Sequence, residues 1–172
     1  MSLIESARPL AAWRWLGLPA FYCVLATILF AVPFRMLGLS LPEPVFPLVL
    51  SFAWAVIRPS VLAPFALLLI GLFLDLFWGG PAGLWAVSLL APYSVVFTAR
   101  SIMSGQSEVA RLGWYLAVTA LAFAVGYLLT AVDSLGFPSP MAVFWQYFAT
   151  ALLYPFARGL IARFEDADVR FR

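Results

Sequence analysis

The chain has 172 residues, 65% of them hydrophobic and 10% charged, where soluble domains carry about half and about a quarter. That balance excludes a soluble globular domain and reads as an integral membrane protein. Histidine and lysine are absent and Cys23 is the single cysteine, so an intrachain disulfide, a cysteine metal cluster and the commonest general base are excluded; a net charge of +2 is too small to argue for nucleic acid.

Residues 1–14 form a mixed leader, with Arg8 and Arg14 ahead of a long apolar run. A cleaved signal peptide is the rival reading. Residues 15–34, however, are long enough to span a bilayer, and no small-x-small site clearly closes them. They are expected to be a retained first transmembrane helix, with Pro19 and Pro33 near its ends. Residues 35–44 are a connector broken by Pro42 and Pro44. The second apolar segment, residues 45–57, is short for a full crossing, and Arg58-Pro59-Ser60 ends it.

Residues 61–78 are the third expected helix and carry one carboxylate, Asp75. A lone ionisable group in an apolar span is costly and normally faces a protein interior or a polar cavity. The following run, Gly79-Gly80-Pro81-Ala82-Gly83, cannot stay helical and predicts a tight hairpin between antiparallel helices. Two roles stay open for Asp75. One is structural: capping the N–H groups that open the next helix, or pairing with an arginine such as Arg35. The other is contact with a partner or ligand. The structural role is the expected one.

The fourth helix is expected at residues 84–99, ending at Arg100. Residues 101–111 are the most polar internal stretch and read as a surface loop or short interfacial helix. The fifth helix, residues 112–132, is the clearest span. A turn-rich connector at 133–140 leads to a sixth helix, residues 141–160, kinked near Pro155, and a charged, solvated tail at 161–172. The whole is expected to be one domain, residues 1–172, forming an all-α bundle of six transmembrane helices.

Arginine placement orients that bundle, because basic residues in short loops stay on the cytoplasmic side. Six spans put Arg8, Arg14, Arg58, Arg100, Arg111, Arg158, Arg163, Arg170 and Arg172 on one side, against Arg35 alone on the other. Both termini are then cytoplasmic and the Asp75 hairpin is outside. Trp13, Trp15, Trp78, Trp85, Trp114 and Trp145 near helix ends fit interfacial anchoring. Ala120-x-x-x-Ala124 and Ala122-x-x-x-Gly126 place small residues on two faces of the fifth helix, where they are expected to pack inside the bundle.

Little in the chain suits catalysis. Glu43, Asp75 and Asp133 form no sequence-local pair, although they could meet in space near Arg35, and no nucleophile–base arrangement is visible. Gly79-Gly80 lacks the strand–loop–helix setting and the lysine of a phosphate loop. Ion transport would leave more charge within the membrane, or a pair of broken helices in related halves.

The order of features goes further. Trp54-Ala55-Val56-Ile57-Arg58-Pro59 closes the second helix. Gly71-Leu72-Phe73-Leu74-Asp75-Leu76-Phe77-Trp78-Gly79-Gly80-Pro81-Ala82-Gly83-Leu84 follows, and the last helix carries Phe144-Trp145 and Tyr154-Pro155-Phe156. Together these resemble the MreD family of bacterial rod shape-determining membrane proteins. The family pattern is an aspartate near the end of the third helix, a glycine a few residues on, and a small–glycine pair opening the next helix. Asp75, Gly79 or Gly80, and Gly83 match it. Length and helix count agree over the whole chain, while the specific motif covers only about residues 54–85.

The resemblance implies a non-enzymatic subunit of the cell-elongation complex in the bacterial inner membrane, without a cofactor. Its implied partners are MreC, the actin-like MreB filament indirectly, and RodA with the elongation transpeptidase. The residues it singles out as structural or partner-binding are Trp54, Arg58, Pro59, Asp75, Gly79, Gly80, Gly83 and Pro155. The family is also similar in fold to the substrate-binding components of energy-coupling-factor vitamin transporters, which supplies the rival function. Those components carry an alanine-x-x-x-alanine docking motif on the first helix. Here Ala20 is followed four residues on by Val24, and Ala26 by Phe30, so that signature is missing.

Overall fold

The computed structural model describes residues 13–31, 35–36, 39–40, 43–57 and 60–169. A π-helical turn, Trp13–Gly17, leads into α1 (Leu18–Phe30), which opens with Pro19, where a missing N–H costs nothing. A two-residue antiparallel ladder pairs β1 (Arg35–Met36) with β2 (Leu39–Ser40). The helices α2 (Pro47–Ile57), α3 (Leu62–Trp78), α4 (Leu84–Met103), α5 (Glu108–Ser134), α6 (Pro140–Ala151) and α7 (Tyr154–Val169) follow.

Three helical stretches are long and apolar enough to cross a membrane: Trp13–Phe30, Leu84–Met103 and Glu108–Ser134. They mark this as a membrane protein that is helical apart from the short ladder. Two further helices, α2 and α3, are apolar but shorter. At 1.5 Å per residue α2 rises only about 16 Å, roughly half of a hydrocarbon core of ~30 Å.

That short helix is the centre of the molecule. Every residue from Pro47 to Ala55 is buried, as expected for a helix that is hydrophobic all round. It packs against α1, α3, α4, α5 and α7. The surrounding helices bury one face and turn the other outward: Phe65, Leu69, Leu72 and Leu76 of α3 are all exposed. Large apolar side chains facing outward suit a hydrocarbon solvent, in which they cost nothing.

Buried polar groups in this setting gain from partners within the protein, and of the buried side-chain polar atoms described only the Ser88 hydroxyl lacks one. The Ser51 hydroxyl on α2 donates to the Leu89 carbonyl on α4 at 2.7 Å. Pro92, buried within α4, has no N–H to offer the Ser88 carbonyl, and the Ser51 hydroxyl meets α4 at the next carbonyl along.

Several element limits differ from expectation. The first helix ends at Phe30 with Ala31 as its cap, and residues 32–34 lie outside the described residues. The fourth continues past Arg100 to Met103, and the fifth begins at Glu108, so the stretch 101–111 is largely helical. The cause is Ser107, whose hydroxyl accepts from the Ala110 N–H while Glu108 sits favourably in the first turn. Helix α5 runs on to Ser134 before Leu135 ends it with φ 50°. The expected solvated tail is helical through Val169.

The largest correction concerns the sixth helix. Near Pro155, where a kink is expected, the helix is interrupted, with Leu152–Leu153 forming a turn between α6 and α7. Pro155 has no N–H to offer the Ala151 carbonyl, so the ladder stops, and short bonds such as Leu153 N–H to the Thr150 carbonyl close it. Trp15 is also not an interfacial anchor: it is buried at 5% exposure.

Candidate functional site

Asp75 sits one turn from the end of α3 and is only 4% exposed. It manages both ends of the hairpin. Its backbone carbonyl accepts the N–H groups of Gly79 and of Gly80, at 3.0 Å for the latter, which closes α3. Its side chain opens α4: Oδ2 accepts the Gly83 N–H at 2.7 Å and Oδ1 accepts the Trp85 N–H at 2.8 Å. The first N–H groups of a helix have no partner within it, and the helix dipole places positive charge there. A carboxylate is the strongest cap for that end, and both distances are those of charge-assisted bonds. Of the structural roles open for Asp75, capping the N–H groups that open the next helix is the contact observed.

The glycines divide into two kinds. Gly79 (φ 65°) and Gly83 (φ 93°) hold left-handed conformations that side chains rarely adopt. Gly80 does not, and a Cβ there would meet open space. Of the two candidates for the motif's middle glycine, Gly79 is therefore the one whose backbone requires it. Deeper in the hairpin, Gly71 lets α3 and α4 touch backbone to backbone, since a Cβ on it would fall against Ala86 and lie 2.9 Å from the Trp85 carbonyl carbon. Trp78 and Trp85 close over the hairpin with ring centroids 5.0 Å apart. Trp85 in turn meets Phe123 of α5 edge-on.

The other singled-out residues belong elsewhere in the fold. Trp54 is fully buried in α2, and its indole N–H donates to the Trp15 carbonyl at 3.2 Å, tying α2 to the π-helical turn before α1. Pro155 lies in the first turn of α7. Arg58 and Pro59 lie outside the described residues, and so does the side chain of Arg35. Among the described residues no three histidines, cysteines or acidic residues gather as metal ligands.

The two small-residue spacings on α5 also separate. Ala122 is buried and Gly126 lies against Ser88 and Leu84 of α4, whereas Ala120 and Ala124 are exposed. Only the first pair packs inside the described bundle. Three features escaped sequence reasoning. One is Gly71, hidden among apolar neighbours. Another is Ser51. The third is a polar knot in which the Thr150 hydroxyl accepts from the Val45 N–H at 3.0 Å and Tyr115 donates to the Thr150 carbonyl at 2.9 Å. Only the glycine left a readable trace, as the first residue of the stretch ending in the hairpin.

Comparison with family models, with curated proteins and with solved structures gave no match to this chain.

Proposed function

We propose that this chain is a non-enzymatic, six-span scaffold subunit of the bacterial cell-elongation complex, resident in the inner membrane with both termini cytoplasmic. In this reading α1 to α5 supply five spans, and α6 and α7 together form a broken sixth. The nine-to-one arginine split supports that orientation. MreC is the proposed direct partner, with MreB reached through it and RodA and the elongation transpeptidase in the same assembly. The outward apolar faces of the helices are the surfaces on which such partners would dock.

One observation carries the reading. Both carboxylate oxygens of Asp75 are engaged by backbone N–H groups of the same chain. The motif on which the resemblance rests thus builds a rigid helical hairpin and leaves no free acid for chemistry. The experiment is co-expression with an MreC homologue, followed by affinity purification in mild detergent. Stoichiometric retention of the partner is expected. A chain that leaves MreC behind and instead carries a tightly held vitamin would favour the substrate-binding subunit of an energy-coupling-factor transporter.

A further inference from the structure

At the arginine-rich end of the molecule, α1 and α7 both rest on α2 without packing closely on each other. Between them lies a cleft of about 750 Å3, within the range of ~300–1,000 Å3 typical of ligand sites. Its chemistry is divided. Arg14 and Arg163 contribute two exposed guanidinium groups, one from each wall. Leu18 and Tyr22 of α1 and Phe156 and Leu160 of α7 line the rest, with Leu50 of α2 below. Neither arginine pairs with a carboxylate among the described residues. Glu108, the nearby acid on α5, is taken by Arg111 and Arg158.

We propose that this cleft binds one acidic phospholipid, its phosphate held between Arg14 and Arg163 and its acyl chains laid over the Leu18–Tyr22 and Phe156–Leu160 walls. Two cations at the mouth of an apolar cleft match an anion joined to hydrocarbon, and a free inorganic anion would leave those walls without a partner. Basic pockets between membrane helices take such headgroups, whereas a zwitterionic headgroup would set a third positive charge beside the two arginines. The site rests on the chain being a membrane protein, not on its proposed role in cell shape. Binding is read on the purified chain alone, so a failed MreC purification leaves this test untouched.

The experiment is native mass spectrometry of the full chain with phosphatidylglycerol, phosphatidylcholine or inorganic phosphate. Each arginine near an acidic headgroup is worth about fivefold, so roughly 30-fold preference for phosphatidylglycerol over phosphatidylcholine is expected. The pair Arg14→Gln and Arg163→Gln should bring the two lipids to near parity. Arg158→Gln, whose charge lies outside the cleft, should keep the preference. Equal binding of both lipids by the unaltered chain would overturn the site, as would a preference that survives in the double variant. Displacement of the lipid by millimolar inorganic phosphate would overturn the lipid as ligand. Should the double variant not fold, crosslinking of the unaltered chain to a photoactivatable phosphatidylglycerol decides. Adducts within residues 18–22 and 156–164 support the site, and adducts confined elsewhere refute it.

Discussion

Two junctions in this protein solve one problem by different means. At the α3–α4 hairpin and at the α6–α7 break, a helix ends in apolar surroundings and its orphan backbone groups need partners. At the hairpin one carboxylate does nearly everything, and its partners Gly83 and Trp85 lie 8 and 10 residues along the chain. At the break Thr150, beside the Ala151 carbonyl that Pro155 leaves without a donor, takes one group at its carbonyl and one at its hydroxyl, both from afar. Tyr115 comes from 35 residues away, and the Val45 N–H that Thr150 receives comes from 105 residues away. The first device is charged and local, the second neutral and global. A charged cap concentrates stability in a single side chain, whereas a neutral knot spreads it.

The sharpest way to break this contrast is to remove the carboxylate. Asp75→Leu leaves two part-buried N–H groups unpaired, at up to about 1–3 kcal/mol each, and should cause the largest loss of thermal stability in detergent. Asp75→Asn keeps one acceptor oxygen, so its loss should fall near half of that. An Asp75→Leu protein that melts like the parent would remove the hairpin from the account of the fold.

Tyr115→Phe probes the other junction. The Thr150 carbonyl keeps the Leu153 N–H as a partner, and hydrogen bonds between membrane helices average only about 0.6 kcal/mol. A loss of roughly 0.5–1.5 kcal/mol is expected, well below that of Asp75→Leu. If the two variants proved equally damaging, the distinction between concentrated and shared stability would not stand.

This difference in reach also explains what could be read in advance. Composition declares the membrane class, and Asp75 among leucines and phenylalanines announces a buried carboxylate with a glycine break one turn later. Its partners are close along the chain, so the cap was legible from spacing. Thr150, Tyr115 and Ser51 look like ordinary residues of apolar helices, and nothing local shows that they meet. The division at Leu152–Leu153 followed the same rule. Pro155 signalled a disturbance, but the Tyr115 hydroxyl that meets the Thr150 carbonyl beside it comes from another helix. Arg14 and Arg163 likewise read only as topology markers until α1 and α7 were seen flanking one cleft.

The smallest predicted effect separates neighbouring glycines. Gly79→Ala forces a side chain into a left-handed conformation and should cost about 1 kcal/mol, partly offset by a stiffer unfolded chain. Gly80→Ala meets neither strain nor contact and should stay within about 0.5 kcal/mol of the parent. Parallel melting curves of the two variants would show it. Equal losses would mean that flexibility of the turn, not its handedness, matters.

The dual use of Asp75 has a consequence for biosynthesis. While α3 emerges alone, it carries an unshielded carboxylate among leucines, and placing it in hydrocarbon is costly. The groups that neutralise this cost, the amides of Gly83 and Trp85, are made only after Asp75 itself. If α3 spans the bilayer as proposed, it gains its full stability there only once α4 has begun, so the two should enter as a pair. The close approach of Gly71 to Ala86 holds that pair backbone to backbone.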